Sequence, residues 1–223
     1  MIITAVVPIR KGSQRIKNKN FRPFSQSSLL EIKLNALKEI NEIDNIVVNT
    51  DSEKAIEIAK KIGVNFFKRE EYFASSKCIN TQHWKNLADT TDTDYLMHCP
   101  CTAPLIKKDT YRNIINTFKS VLKNGFDSIN SVSQVKEFLW LNNKPINYDD
   151  NNVPNSQDLP DIFKLTFGVS IISKSLMSSR RNVVGSKPYF FKLDQIESID
   201  IDNYIDFEFA EYLYNKMLIN KQI

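Results

Sequence analysis

Short apolar runs alternate along the chain with longer segments whose apolar residues recur every three or four positions. The first run, Ile2 to Ile9, is rich in β-branched residues and stops abruptly at Arg10. That pattern predicts a strand covered on both faces. Glu31 to Ile43 then reads as a helix, with Ile32, Ala36, Ile40 and Ile43 on one face. Asn45 to Thr50 is a second strand. Asp51 and Ser52 can cap a helix from Glu53 to Ile62 that stops at Gly63, and Val64 to Lys68 is a third strand. A helix from Ile79 to Thr90 turns Trp84, Leu87 and Ala88 inward, and Tyr95 to Cys99 is again a strand. Asp109 to Asn124 is amphipathic, with Tyr111, Ile114, Ile115, Phe118 and Leu122 on its apolar side and Gly125 as its stop. Strands are expected over Asp127–Val135, Phe167–Ile172 and Tyr189–Leu193, and a last helix carries Phe207, Ala210, Tyr214 and Met217 on one face.

Strand and helix alternating through short connections predict an α/β fold. The expected sheet is mostly parallel, doubly wound and Rossmann-like, with right-handed crossovers. Ligands on such a sheet sit beyond the carboxyl ends of the strands. The pattern is lost between Lys136 and Phe163, where Phe138-Leu139-Trp140-Leu141 runs into polar turns. Apolar residues flanking polar turns predict an excursion that packs on another subunit. Nothing has the composition of a linker, so residues 1–223 are expected to form a single domain with 136–163 as its excursion.

Composition narrows the function classes. A hydrophobic content of 42% and a charged content of 25% are those of a soluble globular protein. The net charge of +4 is too small to argue for nucleic acid. No apolar stretch approaches the roughly 18 residues of a membrane span, and the N-terminus lacks a signal-peptide layout, so cytoplasmic residence is expected. Cys78, Cys99 and Cys101 are odd in number, which argues against a disulfide framework. His98-Cys99-x-Cys101 lacks the C-x-x-C spacing usual for zinc.

The positive excess is partly local. Arg10, Lys11, Arg15, Lys17 and Lys19 crowd the segment after the first strand, among Gly12, Ser13 and Asn20. Such a loop suits a polyphosphate, since backbone N–H groups and cationic heads can both meet its charge. A solvated basic loop is the alternative. It is neither a Walker loop nor a G-x-G-x-x-G turn. Near the other end, Asp200 and Asp202 are two apart, so an extended backbone points both carboxylates the same way. Two hard oxygen donors beside a triphosphate suit Mg²⁺. Asp202 could instead cap the last helix and leave Asp200 solvated.

Pro8-x-Arg10-x-Gly12-Ser13-x-Arg15-x-x-x-Lys19-Asn20 resembles the N-terminal signature of the CMP-sugar synthetases, the acylneuraminate cytidylyltransferases. Ile199-Asp200-Ile201-Asp202 followed by Asp206-Phe207-Glu208 resembles that family's I-D-I-D element. Asn49-Thr50-Asp51-Ser52, Arg69, Thr102-Ala103-Pro104-Leu105, Gln157-Asp158-Leu159-Pro160 and Gly168 fall in order between them. The likeness departs from the family pattern at Pro100 (Gln), Ile106 (Arg), Ser156 (Arg) and Phe167 (Asn).

The resemblance implies a fold of the nucleotide-diphospho-sugar transferase type and transfer of CMP from CTP to the anomeric hydroxyl of an acidic, nonulosonic-type sugar. Arg10, Gly12, Ser13, Arg15, Lys19, Asn20 and Arg69 would bind CTP. Asp200 and Asp202 would hold Mg²⁺, and together with Arg10, Arg15 and Lys19 would carry catalysis. Gln157 and Asp158 would meet the sugar from a homodimer's arm. Lys136, Lys164, Arg180 or Arg181 would supply the charge missing at Ser156. A metal-dependent glycosyltransferase and a catalytically silent nucleotide-binding protein are the alternatives.

Overall fold

The computed structural model describes residues 1–220. Strand β1 (Ile3–Ile9) is buried along nearly its whole length, as its unbroken apolar run requires. A small hairpin follows, β2 (Pro23–Phe24) and β3 (Ser27–Ser28), which the sequence pattern did not announce. Helix α1 (Leu29–Lys38) is capped by the Ser28 hydroxyl, which accepts from Glu31 N–H. It is shorter than expected and buries a different face. Leu30, Lys33, Leu34 and Leu37 point into the core, while Ile32 and Ala36 sit at its margin. The lysine disguised that stripe, because a polar residue amid apolar ones moves the apparent face by one position.

Strand β4 (Asn45–Thr50), helix α2 (Glu53–Ile62) and strand β5 (Asn65–Lys68) follow the predicted pattern. Ser52 caps α2 and Gly63 ends it at φ 78°, a left-handed conformation suited to glycine. After the short α3 (Glu71–Ala74) come α4 (Asn80–Thr90), β6 (Tyr95–His98), α5 (Lys108–Leu122) and β7 (Ser128–Val135). The excursion holds a small hairpin, β8 (Trp140–Leu141) with β9 (Lys144–Pro145), before β10 (Ile162–Ser173). Helix α6 (Lys174–Arg180), strand β11 (Pro188–Lys192) and helix α7 (Tyr204–Ile219) complete the chain as described.

The main sheet has seven strands in the order β11-β7-β10-β6-β1-β4-β5. Every pairing is parallel except the two made by β10, so the sheet is mostly parallel, as expected. Strand β10 starts five residues earlier than the pattern predicted. Its register with β7 breaks between Leu165 and Ser170, where Phe167 adopts φ 53°. Gly168 beside it lies so close to the turn after β6 that a Cβ there would stand 2.8 Å from Ile106 Cδ1 and 3.2 Å from Ala103 Cβ. No helix among the described residues is long and apolar enough to cross a membrane.

Candidate active site at the carboxyl edge of the sheet

The basic loop leaves β1 at the carboxyl edge of the sheet and is held by contacts to distant segments. The Lys11 N–H donates to Asp51 Oδ1 at 2.9 Å, tying the loop to the turn after β4. Ile16 is buried in the core cluster. Lys19 Nζ donates to the Ile201 carbonyl at 2.6 Å, and Arg15 Nη2 pairs with Asp202 Oδ1 at 2.7 Å. The two motifs from opposite ends of the chain are thus one assembly.

A cavity of about 560 Å³ opens beside this junction. The loop contributes Arg10, Ser13, Arg15, Lys19 and Asn20 to its wall. A second set, Arg69, Phe73, Cys78, Asn80 and His83, comes from the end of β5, from α3 and α4 and from the segment between those helices, and Pro100 and Thr102 come from the turn after β6. The first set is strongly cationic; the second is neutral apart from Arg69. Arg10 makes no hydrogen bond or ion pair among the described residues, so its charge is available to a ligand. Gly12 is exposed, lies outside the wall, and a Cβ there would meet no atom within 4 Å. Nothing in the free chain therefore demands a glycine at that position.

The carboxylates lie next to the wall. The Ile201 N–H, between the two aspartates, donates to the Thr102 carbonyl at 2.9 Å. Burial raises the Asp200 pKa above the ordinary carboxylate value; Asp202 adds to that, and Thr102, Lys19 and Lys164 oppose it. Burial likewise lowers the Lys19 pKa, against the pull of Asp200 and Asp202. Asp202 is not the helix cap. That role falls to Asn203, whose side chain accepts from Ile205 and Asp206 N–H groups. Neither carboxylate is therefore consumed by helix capping, and Asp202 Oδ1 is paired with Arg15.

The donor set fits Mg²⁺. No third His, Cys, Asp or Glu joins the pair to form a larger ligand group among the described residues. A hard cation that takes one or two carboxylates and completes its shell with phosphate oxygens and water suits such a pair.

Arg69 is buried, and its backbone N–H donates to the Thr50 carbonyl at 2.7 Å. Its Nη2 donates to the Ile9 carbonyl and its Nη1 to His83 Nδ1 at 3.2 Å. Burial brings its pKa down to about 10, so it remains a cation at neutral pH. Burial first, then the charge of Arg69, pushes His83 down to about 3, so its ring is neutral. Ser52 performs the capping expected of the Asn49–Ser52 segment, while Asp51 anchors the loop.

The departures from the family pattern have structural correlates. Pro100 lines the cavity, and Ile106 is buried against Gly168. Phe167 stacks on Trp84 at 6.0 Å between centroids. Cys99 and Cys101 are fully buried, and burial pushes both thiols up to about 12, which keeps them protonated. Lys33 is the supporting residue that sequence reasoning missed. Its Nζ donates to the Ala103 carbonyl at 2.8 Å and to the Tyr111 hydroxyl, holding the turn that supports Asp200. Its signal was a lysine at helical spacing from Leu30 and Leu37.

Gln157 and Asp158 lie on an exposed turn and do not line the cavity within one chain. Of the candidate cations, Lys136 is held by Asp161 at 2.8 Å, and Arg180 by the Val184 carbonyl and Ser186. Arg181 ends α6 at φ 55°. Lys164 is exposed and acts electrostatically on Asp200.

Residues 4–222 match the family described as cytidylyltransferase. The chain is 24% identical to the post-translational flagellin modification protein B of Campylobacter coli, over 95% of this chain and 94% of that one. It is 24% identical to the CMP-N,N'-diacetyllegionaminic acid synthase of Campylobacter jejuni, with the same coverage. It is 26% identical to the N-acylneuraminate cytidylyltransferase of Oncorhynchus mykiss, over 94% of this chain and 49% of that one. Among solved structures, a CMP:2-keto-3-deoxy-manno-octonic acid synthetase complexed with CTP superposes with a TM-score of 0.70 at 10% identity, covering 97% of this chain and 99% of that one.

Proposed function

The chain belongs to the cytidylyltransferase family, and from that premise we propose that it transfers CMP from CTP to the anomeric hydroxyl of an acidic, nonulosonic-type sugar. The observation that carries this reading is the junction of Arg15 with Asp202 and of Lys19 with the Ile201 carbonyl, which joins a cavity wall bearing three loop cations to the segment that carries the two carboxylates beside it. That is the charge pattern a metal-bound triphosphate needs.

In the reaction the sugar hydroxyl attacks the α-phosphorus in line. The new O–P bond forms as the bond from the α-phosphorus to the α,β-bridging oxygen breaks, the hydroxyl's proton passes to water, and pyrophosphate leaves. Arg10, Arg15 and Lys19 offset the charge gathering on the phosphate oxygens, and Ser13 and Asn20 add hydrogen bonds. Lys19 is held by the Ile201 carbonyl before any ligand arrives, so its charge needs little reorganisation. Asp200 and Asp202 would hold Mg²⁺, which supplies further neutralisation of the triphosphate when bound. Arg69 meets the nucleoside. Lys164 is the cation that answers the sugar carboxylate in place of the arginine missing at Ser156.

A second copy of the chain completes the site on this reading. Phe138, Trp140, Leu141, Ile146 and Val153 are exposed on the excursion and give it an apolar face for a homodimer. Gln157 and Asp158 then reach the partner's sugar. The reaction runs in the cytoplasm, where CTP is available.

The test is incubation with CTP, Mg²⁺ and a panel of nonulosonic acids and 3-deoxyoctulosonic acid, with pyrophosphate as the readout. Release with one or more sugars is the expected result. CTP binding with no pyrophosphate across a broad panel points to a silent homologue, and the absence of CTP binding removes the reading altogether.

A further inference from the structure

The loop cations account for the phosphates, but Pro100 offers no side-chain hydrogen bond to a base, so the nucleoside must be read from elsewhere. The neutral set of wall residues contains one pair whose hydrogen-bonding character is fixed before any ligand binds. Arg69 carries five N–H donors and no acceptor. One hydrogen of Nη2 is given to the Ile9 carbonyl and one of Nη1 to His83 Nδ1, while Nε is sealed from solvent without a partner. Because His83 Nδ1 accepts from Arg69, it carries no proton, and the ring, being neutral, must carry its hydrogen on Nε2. His83 Nε2 makes no hydrogen bond among the described residues and is not among the buried polar atoms left without a partner, while His83 itself forms part of the cavity wall. His83 therefore presents one donor to the cavity, its Nε2–H, on the side of the ring turned away from Arg69.

We propose that His83 is a base-reading residue that selects cytosine over uracil by presenting its Nε2–H, fixed as a donor by Arg69, to the N3 acceptor of the base. Uracil carries hydrogen on N3, so its edge would face a donor with a donor. Adenine and guanine exceed a pyrimidine in size and place their ring acceptors at a different distance from the sugar. The neutral, tautomer-locked imidazole is essential to the scheme, since a protonated ring would repel Arg69 and release it. This inference rests on the reading of the cavity as a CTP site.

Calorimetric titration of the full chain with CTP, UTP and 3-deazacytidine triphosphate, which lacks the N3 acceptor, tests it without requiring turnover. The wild type should bind UTP and the deaza analogue at least about tenfold more weakly than CTP, the size of one hydrogen bond. His83→Leu should lower the CTP-to-UTP preference by about tenfold. His83→Gln keeps an acceptor for Arg69 and an N–H for the base, so it should retain the preference to within about threefold. Equal binding of all three nucleotides by the wild type, or an undiminished preference in His83→Leu, overturns the proposal. If His83→Leu does not fold, the deaza analogue and His83→Gln still decide. Preference for CTP without pyrophosphate from any sugar would retain His83 as reader and remove the transfer reading; pyrophosphate release with a preference indifferent to His83 would do the reverse.

Discussion

Gly168 is the point at which the fold can be pressed against the site by a single methyl group. A Cβ at this position would lie 2.8 Å from Ile106 Cδ1 and 3.2 Å from Ala103 Cβ, where ordinary contact begins near 3.4 Å. Ile106 is buried, but its Cδ1 is the end of a side chain and can rotate, whereas Ala103 has no such freedom. Gly168→Ala should therefore cost about 1–3 kcal/mol, the range for overpacking a core by one methyl. In a chain of this length that corresponds to a melting temperature lower by about 2–12 °C. Ile106→Val alone removes the obstructing methyl and should cost about 0.5–1.5 kcal/mol. If Cδ1 is the main obstacle, Gly168→Ala should cost about 1 kcal/mol less in the Ile106→Val background, a coupling within reach of a double-mutant cycle. Thermal melts and urea titrations of the four proteins provide the assay. Strict additivity, or a Gly168→Ala protein as stable as wild type, would refute the packing argument. Because the Thr102 carbonyl in the same turn holds the Ile201 N–H between the two aspartates, turnover should fall with stability in Gly168→Ala and recover in part in the double variant.

Asp200→Asn should lower turnover by about 100-fold or more while leaving the melting temperature no lower, since the amide keeps the shape and is not penalised by burial; full activity would remove the metal assignment. Lys33 is buried with its pKa held below 10.5, so between the folded value and 10.5 the unfolded chain binds more protons than the folded one. Wild-type stability relative to Lys33→Met should accordingly rise as pH climbs through that window towards 10.5, and a difference independent of pH would show that Lys33 binds its proton equally in the folded and unfolded chain, its pKa unshifted by burial. Lys164→Met should raise KM for the acidic sugar about tenfold at an unchanged KM for CTP; equal KM values would assign the sugar carboxylate elsewhere. Trp140→Glu should convert a dimer to a monomer in sedimentation velocity, and a wild type that sediments as a monomer would remove the arm from the scheme.

Most of the fold was legible because its strands are apolar throughout and its helices have periodic faces. Strand β1, α2 with its Ser52 and Gly63 caps, and α5 with Tyr111, Ile114, Ile115 and Phe118 lie where the pattern puts them. The failures have local causes. Helix α1 hid its core face behind Lys33, whose hydrogen bonds to Ala103 and Tyr111 no periodicity reveals. Strand β10 was seen only from Phe167 onward, because its register break interrupts the alternation that betrays a strand. Helix α6 is seven residues long, too short for its spacing to register. At the site, the cationic loop and the aspartates were visible as residue types in order. The Arg69 to His83 contact was not, since it joins residues whose proximity depends on α3 and α4 turning back over the end of β5.

The bond from Lys19 to the Ile201 carbonyl spans 182 positions of sequence. During synthesis the first strand and its basic loop emerge long before the segment that receives that lysine. Until residues near 200 have docked, the loop lacks two of its anchors, and β1 lacks its neighbours β4 and β6 for part of that time. Folding of this domain is therefore dominated by late, long-range closure, which makes it slow by topology. The ability to hold a triphosphate should arrive abruptly, near the end of translation, rather than growing with the chain.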